Sequence, residues 1–200
     1  PGGLDGRRLL EHWEEMARLD RETPGIHALK GVEVDILEDG SLSIEDEVLA
    51  GADFVIASVH DGRNLTRPQM TRRVVRAMEN PLVDAIGHPM GRRLNERPPW
   101  NIDMDDVIAA AARTGTALEL NSNPGRLDLD DRHCRAAKEH GVKVLITTDA
   151  HGVDDMEFMR YGVGQARRGW LEAGDVLNTL TWRSLMARHR RVRRAGAVFY

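Results

Sequence analysis

The chain has 200 residues, 41% of them hydrophobic and 30% charged, with a formal net charge of −4. That is enough for one domain with a real core, and it gives no global electrostatic drive toward nucleic acid. A single cysteine, Cys134, excludes an internal disulfide framework and suits a reducing compartment; there is no apolar run of about 18 residues to cross a bilayer and no visible signal peptide, so a cytoplasmic protein is expected.

Taken in order, a helix is expected over Leu4–Arg21, then strands over Ala28–Leu37 and Ala52–His60. A helix over Arg67–Glu79, a strand over Val83–His88, a helix over Met104–Thr114 and a strand over Ala117–Asn121 follow. The last elements are a helix over Asp130–His140, a strand over Lys143–Thr148 and a helix over Trp182–Arg194. Asp39-Gly40, Asn80-Pro81, Gly115 and Gly141 punctuate them. Short apolar runs such as Phe54-Val55-Ile56-Ala57, alternating with amphipathic segments, indicate parallel strands covered by helices. Gly162-x-Gly164 lacks the spacing of a phosphate-binding loop.

An open doubly wound sheet and a barrel both suit this order. The polar residues at the strand ends favour the barrel, where side chains converge from the C-terminal ends of several strands. Glu33 lies among Val32, Val34 and Ile36, and a carboxylate in a buried strand is costly unless paired or bound to a metal. Asp35 shares its parity. His60 and His88 end their strands, and Asp149-Ala150-His151 places two further candidates two residues apart, able to face one site. Mixed imidazole and carboxylate ligands favour Zn, Mn or Fe over Mg or Ca. Two ions roughly 3.5–4 Å apart can clamp a phosphoryl group and generate hydroxide.

Each candidate has a plainer reading. A lone strand-end histidine is more often a hydrogen-bonded structural residue. His12, His133, His140 and His189 fall on expected helices and are read as solvated, and His27 as structural. Asn123 and Arg126 are candidate phosphate contacts; the plainer alternative is a loop-ordering Asn and a surface Arg. Arg63, Arg92, Arg93 and Arg97 follow two of the strands and could form a basic rim for a nucleic-acid backbone, or be solvated loop residues. The Arg188–Arg194 stretch reads as a charged helix face.

The ordered series Lys30-Gly31-Val32-Glu33-Val34-Asp35-Ile36-Leu37, Ala57-Ser58-Val59-His60, Ile86-Gly87-His88-Pro89, Leu118-Glu119-Leu120-Asn121-Ser122-Asn123-Pro124, Thr147-Thr148-Asp149-Ala150-His151 and Met159-Arg160-Tyr161-Gly162-Val163-Gly164 resembles the PHP superfamily. More narrowly, it is similar to the C-terminal PHP domain of bacterial family X DNA polymerases. The resemblance implies an α/β fold, a distorted TIM-like (β/α)7 barrel holding two or three divalent metal ions, Mn or Zn with Fe as a third option. It implies that Glu33 bridges two ions, that His60 and His88 complete one site with it, and that Asp149 and His151 serve a second and a third. Enzymes of this kind are 3′–5′ exonucleases acting on DNA, single-stranded or at 3′ ends, beside covalently linked polymerase domains.

The family's first motif, His-x-His, and its second, ending Asp-His, are not in this sequence. A single PHP domain over residues 1–200, lacking one or two barrel strands and with impaired activity, is therefore expected. The competing expectations are a free-standing small-molecule phosphatase, such as one acting on histidinol phosphate, and a non-catalytic module in which metals stabilise a DNA-positioning barrel.

Overall fold

The structure is a computed structural model, and it describes residues 5–187. Five strands, β1 (Gly31–Asp35), β2 (Phe54–Ser58), β3 (Ala85–Ile86), β4 (Ala117–Asn121) and β5 (Val144–Thr147), form one sheet in the order β1-β2-β3-β4-β5, with every pair parallel. The helices are α1 (Gly6–Glu22), α2 (Asp46–Leu49), α3 (Arg67–Met78), α4 (Met104–Thr114), α5 (Asp131–Glu139) and α6 (Met159–Arg168). Each crossover between successive strands from β1 to β5 carries one of α2 to α5. The strand order runs without a reversal, which removes the doubly wound alternative for these strands. Among the described residues β1 pairs only with β2, and β5 pairs with β4 and carries a bridge from Val144 to Val176.

Local chemistry explains the helix limits. Asp103 caps α4 by accepting from the Asp105 and Asp106 amides at 3.2 and 3.3 Å, and Gly115 ends it in the left-handed region at φ 78°. Asp130 caps α5 by accepting from His133 N at 2.9 Å. Helices and sheet meet in a core that includes Met70, Val74, Ile86, Ile108, Leu118 and Leu120. All of β4 is buried, as expected for a central parallel strand.

Several expected elements change. The strands expected to reach Leu37, His60, His88 and Thr148 stop at Asp35, Ser58, Ile86 and Thr147. His88 and Asp149 lie at φ 26° and 51°, outside the extended region, so neither can continue a ladder. As a result His60, His88 and Asp149 each stand two residues past the last residue of their strand, in the loops at one edge of the sheet. The expected burial of Glu33 is also corrected. Its side chain is 43% exposed, on the open Gly31, Glu33 and Asp35 face of β1, which among the described residues pairs only with β2. The helix expected from Trp182 is present over 182–187; the rest of it, with His189 and the arginine-rich stretch, lies outside the described residues. His12 and His140 are exposed, His133 is half-buried against Asp130, and His27 stacks on Trp182 with ring centroids 5.8 Å apart.

The Gly-x-Gly pair lies in α6. A Cβ on Gly162 would fall 1.9 Å from Ser122 Oγ and 2.7 Å from Ile146 Cγ2, whereas one on Gly164 would meet nothing. The first glycine lets α6 approach the sheet and the second has no packing role. Gly162→Ala should therefore lose about 1–3 kcal/mol in urea unfolding. Gly164→Ala, at an exposed helical position, should gain roughly 0.5–1 kcal/mol. Equal effects of the two changes would contradict this packing.

Candidate metal centre

Glu33 leaves the open face of β1 next to the loop after β2, and its Oε1 meets two imidazoles. His60 Nε2 is 3.5 Å away and His88 Nε2 is 3.4 Å away. One donor atom from each of the three residues lies within 4.8 Å of the others. The two rings stand edge to face, with centroids 5.2 Å apart. His88 is 3% exposed, whereas His60 and Glu33 are 41% and 43% exposed, so the group has a buried floor and an open outer side.

Supporting contacts fix these side chains. The Nδ1 edge of His60 meets Asp35 Oδ1 at 2.5 Å, which turns Nε2 toward Glu33. A carboxylate on the far nitrogen is the usual way to orient a metal-ligating imidazole. Glu119, buried at the centre of β4, accepts from the His88 amide and, at 2.6 Å, from Thr147 Oγ1. It thereby ties the end of β3 to the end of β5. Arg73, buried on α3, donates to the Ile36 carbonyl and, from Nη1, to Asp61 O at 2.8 Å and Gly62 O at 3.2 Å. This latch joins the end of β1 to the loop that follows His60.

Charge follows from these contacts. Burial works to raise the Glu33 carboxyl, yet hydrogen bonds from His60 and His88 outweigh it and hold it well below the usual carboxylate range. The hydrogen bond to Glu33 raises the His60 imidazole to about 9, against the opposing effect of burial and with Asp35 adding to the rise. Burial pushes the Glu119 carboxyl upward.

The donor set fits a divalent cation. Two ligand atoms each about 2.0–2.1 Å from a tetrahedral zinc stand about 3.3–3.4 Å apart. The contacts to Glu33 Oε1, at 3.4 and 3.5 Å, are already close to that spacing.

The remaining candidates fall around this group rather than in it. Asp149 Oδ2 accepts from Asn121 Nδ2 at 3.1 Å and lies 3.4 Å from Arg126 Nε. His151 is 82% exposed, with Nδ1 2.8 Å from the Asp149 carbonyl. A carbonyl only accepts, so Nδ1 is the donor and Nε2 is the nitrogen turned away from this contact. Asn123 Oδ1 accepts from Gly125 N at 2.9 Å, and its carbonyl accepts from Arg126 N at 2.8 Å, so this residue shapes the loop that presents Arg126. Arg63 Nε donates to His60 O at 2.9 Å. Arg92 is committed to the Arg126 and Leu127 carbonyls, a structural use in place of the expected rim role.

A cavity of about 310 Å³ opens beside the cluster, lined by His60 and His88 together with Arg63, Arg93, Arg97, Arg126, Glu96 and Trp100. The orienting roles of Glu119 and Arg73 and the place of Trp100 were not foreseen from sequence. Arg73 carried a signal: it sits on the α3 stripe with Met70, Val74 and Ala77, where an arginine needs buried partners.

No family model matches the chain. The chain is similar to the DNA polymerase/3′-5′ exonuclease PolX of Bacillus subtilis, with 43% identity over 185 residues, 92% of this chain and 32% of that protein. It thus spans about a third of that relative's length. It is 30% identical over 188 residues to a probable phosphatase of Thermoanaerobacter sp. (strain X514), covering 88% of this chain and 74% of the relative. A probable phosphatase of Caldanaerobacter subterraneus is 34% identical over 160 residues, 74% of this chain and 60% of that protein.

His60 holds its proton up to about pH 9 and must give it up to coordinate a cation. Binding of Mn or Zn near neutral pH should therefore release about one proton per ion at this site, and affinity should fall as pH drops. Calorimetry in buffers of different ionisation enthalpy checks this. Binding heats that do not vary with the buffer would contradict it.

Proposed function

Since the chain belongs to the PHP-type family that it shares with these phosphatases and with a segment of PolX, we propose that it is the metal-dependent phosphoesterase unit of a DNA-processing enzyme, removing nucleotides from 3′ ends. The observation that carries the reading is the convergence of Glu33, His60 and His88, with donor atoms within 4.8 Å of one another, beside an arginine-lined cavity. In this reading Glu33, His60 and His88 hold one Mn or Zn ion, and Asp149 and Nε2 of His151 contribute to a second or third. A bound cation supplies Lewis acidity and lowers the pKa of a coordinated water.

The chain's own residues do the rest. Asp35 keeps His60 in the tautomer whose Nε2 can ligate, and Glu119 fixes the main chain at His88. Arg63 and Arg126 offer guanidinium donors to phosphoryl oxygens, which they match in geometry and charge. Asn123 acts through the turn that positions Arg126. Left-handed backbone at His88 and Asp149 is a cost that recurs at functional sites and agrees with this assignment. DNA is the favoured substrate because identity to PolX is the higher and the cavity is strongly basic.

A small-molecule phosphatase is the second reading, supported by the name of the Thermoanaerobacter relative, of which the chain covers 74%. The gene product carrying this chain, loaded with Mn, should release nucleotides from the 3′ end of a labelled single strand. His60→Ala should abolish that release, and Asp35→Asn should reduce it about 10–100-fold. Full activity in His60→Ala would remove the site assignment. Consumption of histidinol phosphate with no action on DNA would establish the second reading instead.

A further inference from the structure

The cavity beside the cluster has two chemically different walls. His60 and His88 form the first. The second contains Arg63, Arg93, Arg97 and Arg126 with one carboxylate, Glu96, and Trp100 lies against Arg97 and Arg63. The Arg97 guanidinium lies 4.6 Å from the indole centroid and that of Arg63 lies 5.8 Å from it. Both arginines are also tied by main-chain contacts, Arg97 to Gly91 O at 2.8 Å and Arg63 to His60 O at 2.9 Å. The indole itself is 8% exposed and presses on Gly91, where a Cβ would fall 1.7 Å from its Cε2.

Anionic partners are few. Arg93 meets Glu96 at 3.3 Å and Arg126 meets Asp149 at 3.4 Å. Among the described residues no carboxylate forms an ion pair with Arg63 or Arg97. Four like charges lining one cavity repel one another, and an anion between them relieves that repulsion. A phosphate processed at the cluster and contacted by Arg63 and Arg126 would still leave Arg97 without such a partner.

We propose that the Trp100-braced arginine wall is a second phosphate subsite, which holds the internucleotide phosphate next to the one processed at the cluster. It would make the site select chains with two successive phosphates over single phosphate esters. Arg97 is the principal contact, and Trp100 is a positioning residue against which the Arg97 and Arg63 guanidinium groups rest. Planar guanidinium on an aromatic face is pre-oriented for paired phosphate oxygens, so a lysine would not substitute. The inference rests on the phosphoesterase reading for the site but concerns residues outside the proposed metal ligands.

The test is equilibrium binding by the Mn-loaded protein to two labelled probes with hydrolysis-resistant phosphorothioate linkages: a 5′-phosphorylated dinucleotide with two phosphates, and the same dinucleotide without the 5′-phosphate. The protein should bind the first about tenfold more tightly, the scale of one charge-assisted contact. Arg97→Gln and Trp100→Leu should erase the preference, and Trp100→Phe should restore most of it. Arg97→Gln decides alone if Trp100→Leu does not fold. Equal binding of both probes, or a preference that survives Arg97→Gln, overturns the proposal. A preference that behaves as expected, in a protein that hydrolyses no phosphate ester with Mn, would instead overturn the function above and leave the subsite standing.

Discussion

The Glu33 carboxylate, shared between the Nε2 atoms of His60 and His88, is the contact on which the site depends. It gathers side chains from β1 and from the loops after β2 and β3 onto one oxygen. Unpaired, this anion would repel a phosphate; paired with two imidazoles it becomes a place where a cation can replace a proton. The low affinity of Glu33 for protons and the high affinity of His60 for its own have the same origin, each stabilising the charged form of the other.

That contact survives only if loops from separate strands keep their places. A parallel sheet sets the strand ends in one row but does not fix the loops beyond them. Arg73 supplies part of the fixing by donating to carbonyls on both sides of a gap between β1 and the loop after His60. Glu119 supplies another part from inside the sheet, and its burial is made tolerable by the His88 amide and the Thr147 hydroxyl. Arg92 does the same for the turn that leads into Arg126. These are polar groups placed where an apolar core would be simpler, which ties their presence to geometry more than to stability.

Much of this was readable from the residues. The five strands, their parallel direction, most of the helices and Glu33, His60 and His88 as ligand candidates follow from periodicity and from polar residues at the ends of apolar runs, while the grouping of those three into one site came from the family resemblance. The strand ends were overestimated because the sequence pattern runs on past the residues that still pair: β2 stops two residues before His60, and the backbone has already turned at His88 and, just past the last expected strand, at Asp149. Helix α6 was not foreseen because Gly162 and Gly164 lower its intrinsic propensity; close packing on Ser122 and Ile146 outweighs that. The cavity wall was half visible. Its arginines were, but Trp100 carries no local signal, since its role comes from the 91–100 loop folding back on Gly91. Asp149 was expected among the ligands, and here it is held by Asn121 and Arg126, outside the group of three.

Anomalous diffraction from crystals grown with Mn or Zn tests the central claim most directly. A peak within about 2.0–2.2 Å of Glu33 Oε1, His60 Nε2 and His88 Nε2, with His60 Nδ1 still on Asp35, is the predicted result. Density for the ion elsewhere, with the imidazoles still in contact with Glu33 Oε1, would contradict the account.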